Sequence, residues 1–162
     1  MSSFASWFAE RGYTCLEIDL GKPVDVHTSE ALMKHYEAEL AFHIRTLAIP
    51  FAPVIVSRAA GTLIAQTYIS SHPATALLLI SPRPTTASMP QSLLPTPFPE
   101  FNFEPRFPCA IMCTEDEKLG LEKEHRLWND SGVEKIVVKD ERALVGQEGV
   151  VKIEQWLDEL GI

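Results

Sequence analysis

The chain has 162 residues, 46% hydrophobic and 22% charged, with a formal net charge of −8. That length makes one domain, residues 1–162, with a core of its own. The acidic balance would repel a phosphate backbone, which excludes nucleic acid as an expected partner, and no apolar run approaches the length of a membrane span.

Residues Met1 to Ser3 lead into an amphipathic segment with an acidic residue at Glu10, unlike a cleavable signal. The cysteines are Cys15, Cys109 and Cys113. An odd, sparse set fits a reducing compartment, so the expectation is an intracellular, cytoplasmic location. Phe4, Trp7 and Phe8 recur at helical spacing, and Gly12 ends that helix. Tyr13 to Leu20 reads as a strand with an acidic end at Asp19. Thr28 or Ser29 caps a long helix reaching about Ala48, with Leu32, His35, Tyr36, Leu40, His43, Ile44 and Leu47 on its inner face. Val54 to Val56 is a short β-branched strand. Ala60 to Ser71 reads as a helix stopped by Pro73, and Thr75 to Ile80 as a buried strand.

Residues 82–107 hold most of the prolines, and no regular helix survives that density. This is a long irregular loop, which Phe98, Phe101, Phe103 and Phe107 would pin to the body. Cys109 to Cys113 is the next strand, with both cysteines on one face as buried packing. Glu117 to Asn129 reads as a charged helix, Val133 to Val138 as a strand, and Gly146 to Leu160 as a closing helix with Val150, Ile153, Trp156, Leu157 and Leu160 on one face. Short apolar strands alternating with helices imply parallel βαβ units in a three-layer α/β sandwich, with a mostly parallel sheet of about five or six strands. Ligands of such sheets bind beyond the carboxyl ends of the strands.

The segment Val54-Ile-Val-Ser-Arg-Ala-Ala-Gly-Thr-Leu-Ile-Ala-Gln-Thr-Tyr68 resembles the nucleophile elbow of the α/β-hydrolases, a strand followed by G-x-S-x-G and a helix. On that motif Ser57 stands at the first glycine, Arg58 at the variable position, Ala59 at the nucleophilic serine and Gly61 at the second glycine. Phe8 to Tyr13, Glu17 to Leu20, Leu77 to Pro82 and Pro108 to Asp116 are similar to the elements around the elbow, so the resemblance spans nearly the whole chain. It implies that Asp116 stands at the acid position and Arg142 at the histidine position. The resemblance also implies what is lacking: the serine hydroxyl, the histidine, the N-terminal strands with their oxyanion loop, and a helical cap, whose place residues 82–107 take. The strands Tyr13–Leu20 and Val54–Val56 must then pair directly or leave a slot between them.

A serine attacks only when a histidine takes its proton and an acid orients that histidine. The expected function is therefore a degenerate, non-catalytic hydrolase-like module for binding or assembly. The alternative is an esterase- or lipase-like serine hydrolase with alanine in place of its nucleophile, or a site rebuilt around Asp116 and an arginine. Ser57, Arg58, Gly61 and Ser81 are candidate pocket residues, and Arg58 with Arg142 could hold a carboxylate or phosphate. The expected partners are a second copy or another protein at the incomplete sheet, and a small acidic or apolar ligand. No cofactor or metal is expected: His27, His35 and His43 lack the i, i+4 spacing of a helical metal pair and read as partly buried. His72 stands at a helix end, and His125, among Glu122, Lys123, Glu124 and Arg126, reads as part of a solvated face.

Overall fold

The computed structural model describes residues 2–162, with side chains from Phe4 onward; Met1 and the side chains of Ser2 and Ser3 lie outside the described residues. Helices α1 (Ser2–Glu10) and α2 (Ser29–Thr46) come first. They are followed by β1 (Val54–Arg58), α3 (Gly61–Ile69), β2 (Ala76–Ile80), β3 (Cys109–Thr114), α4 (Glu115–Glu124), β4 (Val133–Val138), α5 (Glu141–Val145) and α6 (Gln147–Glu159). The strands form one sheet in the order β1-β2-β3-β4, all parallel, with Val54 opposite Ala76 and Cys109 opposite both Leu77 and Val133.

The period of two sorts each strand between two helical layers. Ala76, Leu78 and Ile80 of β2 join Ala110, Met112, Ile136 and Val138 under Phe4 and Phe8 of α1 and Val150, Ile153, Trp156 and Leu157 of α6. Leu77 and Leu79 face the other way with Cys109, Ile111 and Cys113, under Ala65, Tyr68 and Ile69 of α3 and Leu121 of α4. Leu40, Ala41 and Ile44 of α2 join this second layer. The central strands β2 and β3 are buried along their whole length, as continuous apolar runs between two covered faces must be. Leu77, Leu78, Leu79 and Ile80, at 0%, 0%, 1% and 0% exposure, each contribute roughly 1.5–3 kcal/mol. Cys109 and Cys113 share a face as expected, and burial pushes both thiols up to about 12.

The sheet has four strands, not five or six. Tyr13 to Leu20 lies in no ladder, and residues 14–27 form no backbone–backbone hydrogen bond with any described residue. A strand exists only as one of a pair, and no described residue pairs with this segment. Leu16 is 47% exposed in consequence.

The helices after β3 also differ from expectation. Helix α4 ends at Glu124 because His125 leaves helical geometry at φ −81, ψ 121. The short helix α5 was not expected; Asp140 caps it by accepting from the Ala143 amide at 2.9 Å. Helix α6 then starts so close to α5 that a Cβ at Gly149 would lie 2.1 Å from the Leu144 carbonyl oxygen. Only glycine fits there.

The loop from 82 to 107 is irregular apart from one 3-10 turn, Thr86–Ser88. Ser29, wholly buried at the start of α2, ties it down. The Ser29 hydroxyl donates to the Thr96 carbonyl and accepts from the Thr96 amide, while the Ser29 amide donates to Thr96 Oγ1. Phe98 and Phe101 pack with Leu32, Met33 and Leu63, and Phe103 and Phe107 pack on the α3 and α4 layer. No helix is long and apolar enough to cross a membrane.

Candidate functional site

The carboxyl end of β1 turns into α3 through Arg58, Ala59 and Ala60. Ala59 has φ 51, a left-handed conformation that L-residues adopt at a cost. Its amide donates to the Ile80 carbonyl at 2.9 Å, and its carbonyl accepts from the Thr62 amide at 3.1 Å and hydroxyl at 2.6 Å. The turn is thus fastened to β2 on one side and to α3 on the other, which leaves Ala59 exposed at the crest. A Cβ at Gly61 would sit 4.0 Å from Ser57 Cβ, in ordinary contact, so the turn does not require glycine there. Ser57 points into that junction, where its hydroxyl oxygen is buried without a hydrogen-bond partner. Neither Ser57 nor Gly61 lines the cleft above the turn.

That cleft, about 470 Å³, lies over the carboxyl ends of β1, β2 and β3. Ala59, Ser81, Asp116 and Glu117 line it, together with Arg58 and Glu141. Ser81 follows β2 at φ 50, with its amide on the Met112 carbonyl at 2.8 Å. Its hydroxyl donates to Glu117 Oε1 at 3.0 Å. The same oxygen accepts from the Thr114 amide and hydroxyl, each at 3.0 Å, so Glu117 is a structural acceptor locking α4 to β2. Asp116 stands in the first turn of α4 and opens on the cleft; its carboxylate has no ion pair among the described residues. Pro82, Pro84, Gly120 and Leu121 complete an apolar wall.

The expected pair of arginines does not converge. Arg58 reaches the cleft but is ion-paired with Glu141. Arg142 is exposed on α5 and does not line the cleft. The Asp140 cap sets the phase of α5, and that phase turns Glu141, not Arg142, toward β1. Arg83 is the further cation at the rim.

No histidine lines this cleft. His125, expected on a solvated face, is 5% exposed. Ending α4 at Glu124 swings its ring inward, against a separate cavity of about 20 Å³ that it shares with Thr62, Gln66, Glu100 and Arg126. That cavity has room for one water. His125 Nδ1 accepts from the Leu127 amide at 3.2 Å. Burial, aided by Arg126 and opposed by Glu100, pushes its pKa down to about 4. The ring is a neutral structural acceptor, and Arg126 stacks over Phe103 at 4.8 Å beside it. His35, expected to be partly buried, is exposed and lies 3.3 Å from Glu39 on the outer face of α2. His27 is also exposed, whereas His43 is half-buried. His72 stacks on Tyr68 with centroids 4.4 Å apart, just beyond α3. Among the described residues no three His, Cys, Asp or Glu side chains converge as a metal site would require.

The sequence matches no protein-family model, and no curated protein matches it.

Proposed function

We propose that this chain is a degenerate α/β-hydrolase-like domain, non-catalytic, that serves as a binding or assembly module. One observation carries the reading. The residue between β1 and α3 is held in the strained left-handed turn that a nucleophile elbow needs, yet its side chain is the methyl of Ala59. Backbone strain of this kind collects at functional sites, although Asp25 and Ala48 are left-handed too. The chemistry itself needs a nucleophile beside a base. In the cleft the hydroxyl of Ser81 is spent on Glu117, and the guanidinium of Arg58 on Glu141. Neither group is a base for a hydroxyl. The buried His125 faces another cavity with Nδ1 already occupied.

A small, mainly apolar ligand fits the remaining walls best, because Arg58 is neutralised and Pro82, Pro84 and Leu121 line one side. The three unpaired cysteines favour a reducing, cytoplasmic location. The rival reading, a serine hydrolase carrying alanine for its nucleophile or a site rebuilt on Asp116, draws on the carboxylate that Asp116 presents to the cleft.

Hydrolysis of p-nitrophenyl acetate at high protein concentration separates the two readings. A rate equal to buffer, unchanged in Asp116→Asn, is the expected result. A rate well above buffer that Asp116→Asn abolishes would replace the non-catalytic reading with the rebuilt site.

A further inference from the structure

Leaving tyrosine, tryptophan and cysteine aside, six polar residues are buried among those described, and four of them meet in one place. Thr62, Gln66, Thr86 and His125 all line the cavity of about 20 Å³ between α3 and the loop of residues 82–107. Such burial costs free energy unless each group finds a partner. Three do. The Thr62 hydroxyl donates to the Ala59 carbonyl at 2.6 Å, the Gln66 side-chain amide to the Thr62 carbonyl at 3.2 Å, and the Thr86 hydroxyl to the Phe98 carbonyl at 2.6 Å. His125 is only half satisfied. Its Nδ1 accepts from the Leu127 amide, so the neutral ring carries its proton on Nε2. That second N–H has no acceptor among the described residues, on a ring that is 5% exposed and lines the cavity.

The same lining carries an excess of positive charge. Arg83 and Arg126 stand there against a single carboxylate, Glu100. Neither guanidinium has an ion pair among the described residues, whereas Arg11, Arg58 and Arg106 each have one. Glu100 is engaged elsewhere, since its Oε1 accepts from the Thr86 amide at 2.6 Å. Burial pushes the Arg126 pKa down, and Asp130, Cys109 and Glu100 restore only part of it. A charge partly withdrawn from water attracts a counter-ion more strongly than one in bulk solvent. On a chain of net charge −8, this is a local reversal of sign.

We propose that this cavity binds one monatomic anion, chloride, which accepts from the His125 Nε2–H and has the guanidinium groups of Arg83 and Arg126 as its counter-charges. The sign follows from the lining, where two cations face one carboxylate and the free donor is an N–H. The size follows from the volume, which admits one water. Chloride is little larger than water, whereas a carboxylate or a phosphate brings several heavy atoms. The cavity is distinct from the large cleft and shares only Arg83 and Pro84 with it. The inference therefore goes beyond the reading of the cleft and does not depend on it.

The test is thermal unfolding of the full chain while sodium chloride replaces sodium gluconate at constant ionic strength. Gluconate is too large for the cavity and serves as the reference anion. A ligand that binds only the folded state raises the midpoint by mass action, so chloride at about five times its dissociation constant should add roughly 2–4 °C. The increment should grow with the logarithm of chloride concentration beyond that point. Arg83→Gln and Arg126→Gln, both at exposed positions, should each weaken the apparent chloride affinity by roughly fivefold. Lys123→Gln, exposed and outside the cavity, should leave it unchanged. The increment is read within each variant, so a change in baseline stability drops out. Equal midpoints in chloride and gluconate would overturn the proposal and leave the cavity to a water. An increment that survives both arginine substitutions as it survives Lys123→Gln would overturn it too, by placing the chloride elsewhere. Stabilisation by sodium formate without any by chloride would overturn the choice of a monatomic anion.

Discussion

His125 makes stability depend on pH in a way that can be worked out from its surroundings. Its ring is 5% exposed, and burial together with Arg126 lowers its pKa from 6.5 to about 4. The native ring is therefore neutral where the unfolded one takes up a proton. Between these two pKa values the unfolded state binds more protons, so stability rises with pH. The contribution is fully present above 6.5 and is lost as pH falls toward and through about 4. Moving from about pH 7.5 to about pH 5 should remove about 2 kcal/mol through this residue alone. In urea that is a drop in midpoint of about 1 M, taking an ordinary denaturant slope of roughly 2 kcal/mol per M. His125→Asn keeps a short acceptor for the Leu127 amide and cannot titrate. Urea unfolding of both proteins at the two pH values isolates the term by difference, since other groups titrate alike in both. An equal loss in both proteins would refute the reasoning, and would mean that the ring takes its proton without leaving the fold.

Gly149→Ala should cost about 3 kcal/mol or more, because its Cβ would meet the Leu144 carbonyl at 2.1 Å and the α5–α6 junction must open; thermal unfolding reads it. Ser29→Ala strands the Thr96 amide and carbonyl, costing about 2 kcal/mol and speeding proteolysis within residues 82–107. Ala59→Gly relieves the left-handed strain at φ 51 and should raise stability by about 0.5 kcal/mol, a gain visible as a higher urea midpoint.

What could be read from the sequence depended on whether a residue's environment lay close along the chain. The Thr28 cap of α2, which accepts from the Ala31 amide, was legible because capping spans three residues. The buried strands β2 and β3 were legible as short apolar runs, and the shared face of Cys109 and Cys113 followed from the period of two. Tyr13–Leu20 has the composition of a strand, but a strand needs a neighbour, and no local pattern reports one that is missing. His125 was misplaced because nothing around Glu124 breaks a helix; the ring turns inward to meet a loop contributed by distant residues such as Glu100 and Thr86. The phase of α5 was hidden in the Asp140 cap, and with it the exchange of Glu141 for Arg142 beside Arg58. Ala59 was reached from the likeness of β1 and its turn to a nucleophile elbow, Asp116 from the likeness of Pro108–Asp116, and Ser81 from its place after a strand. Glu117 was missed as their organiser, although its place three residues after Thr114 is a capping signal.

The central claim, that the catalytic machinery of the elbow is gone and not merely lacking one oxygen, is tested most directly by restoring that oxygen. Ala59→Ser, treated with a fluorophosphonate, is analysed by intact mass beside the wild-type chain. The account predicts no adduct on either protein, because no histidine lines the cleft to take the hydroxyl proton. A stoichiometric adduct on Ala59→Ser that is absent from the wild type would contradict it, and would show that a functioning base and oxyanion site survive around the turn.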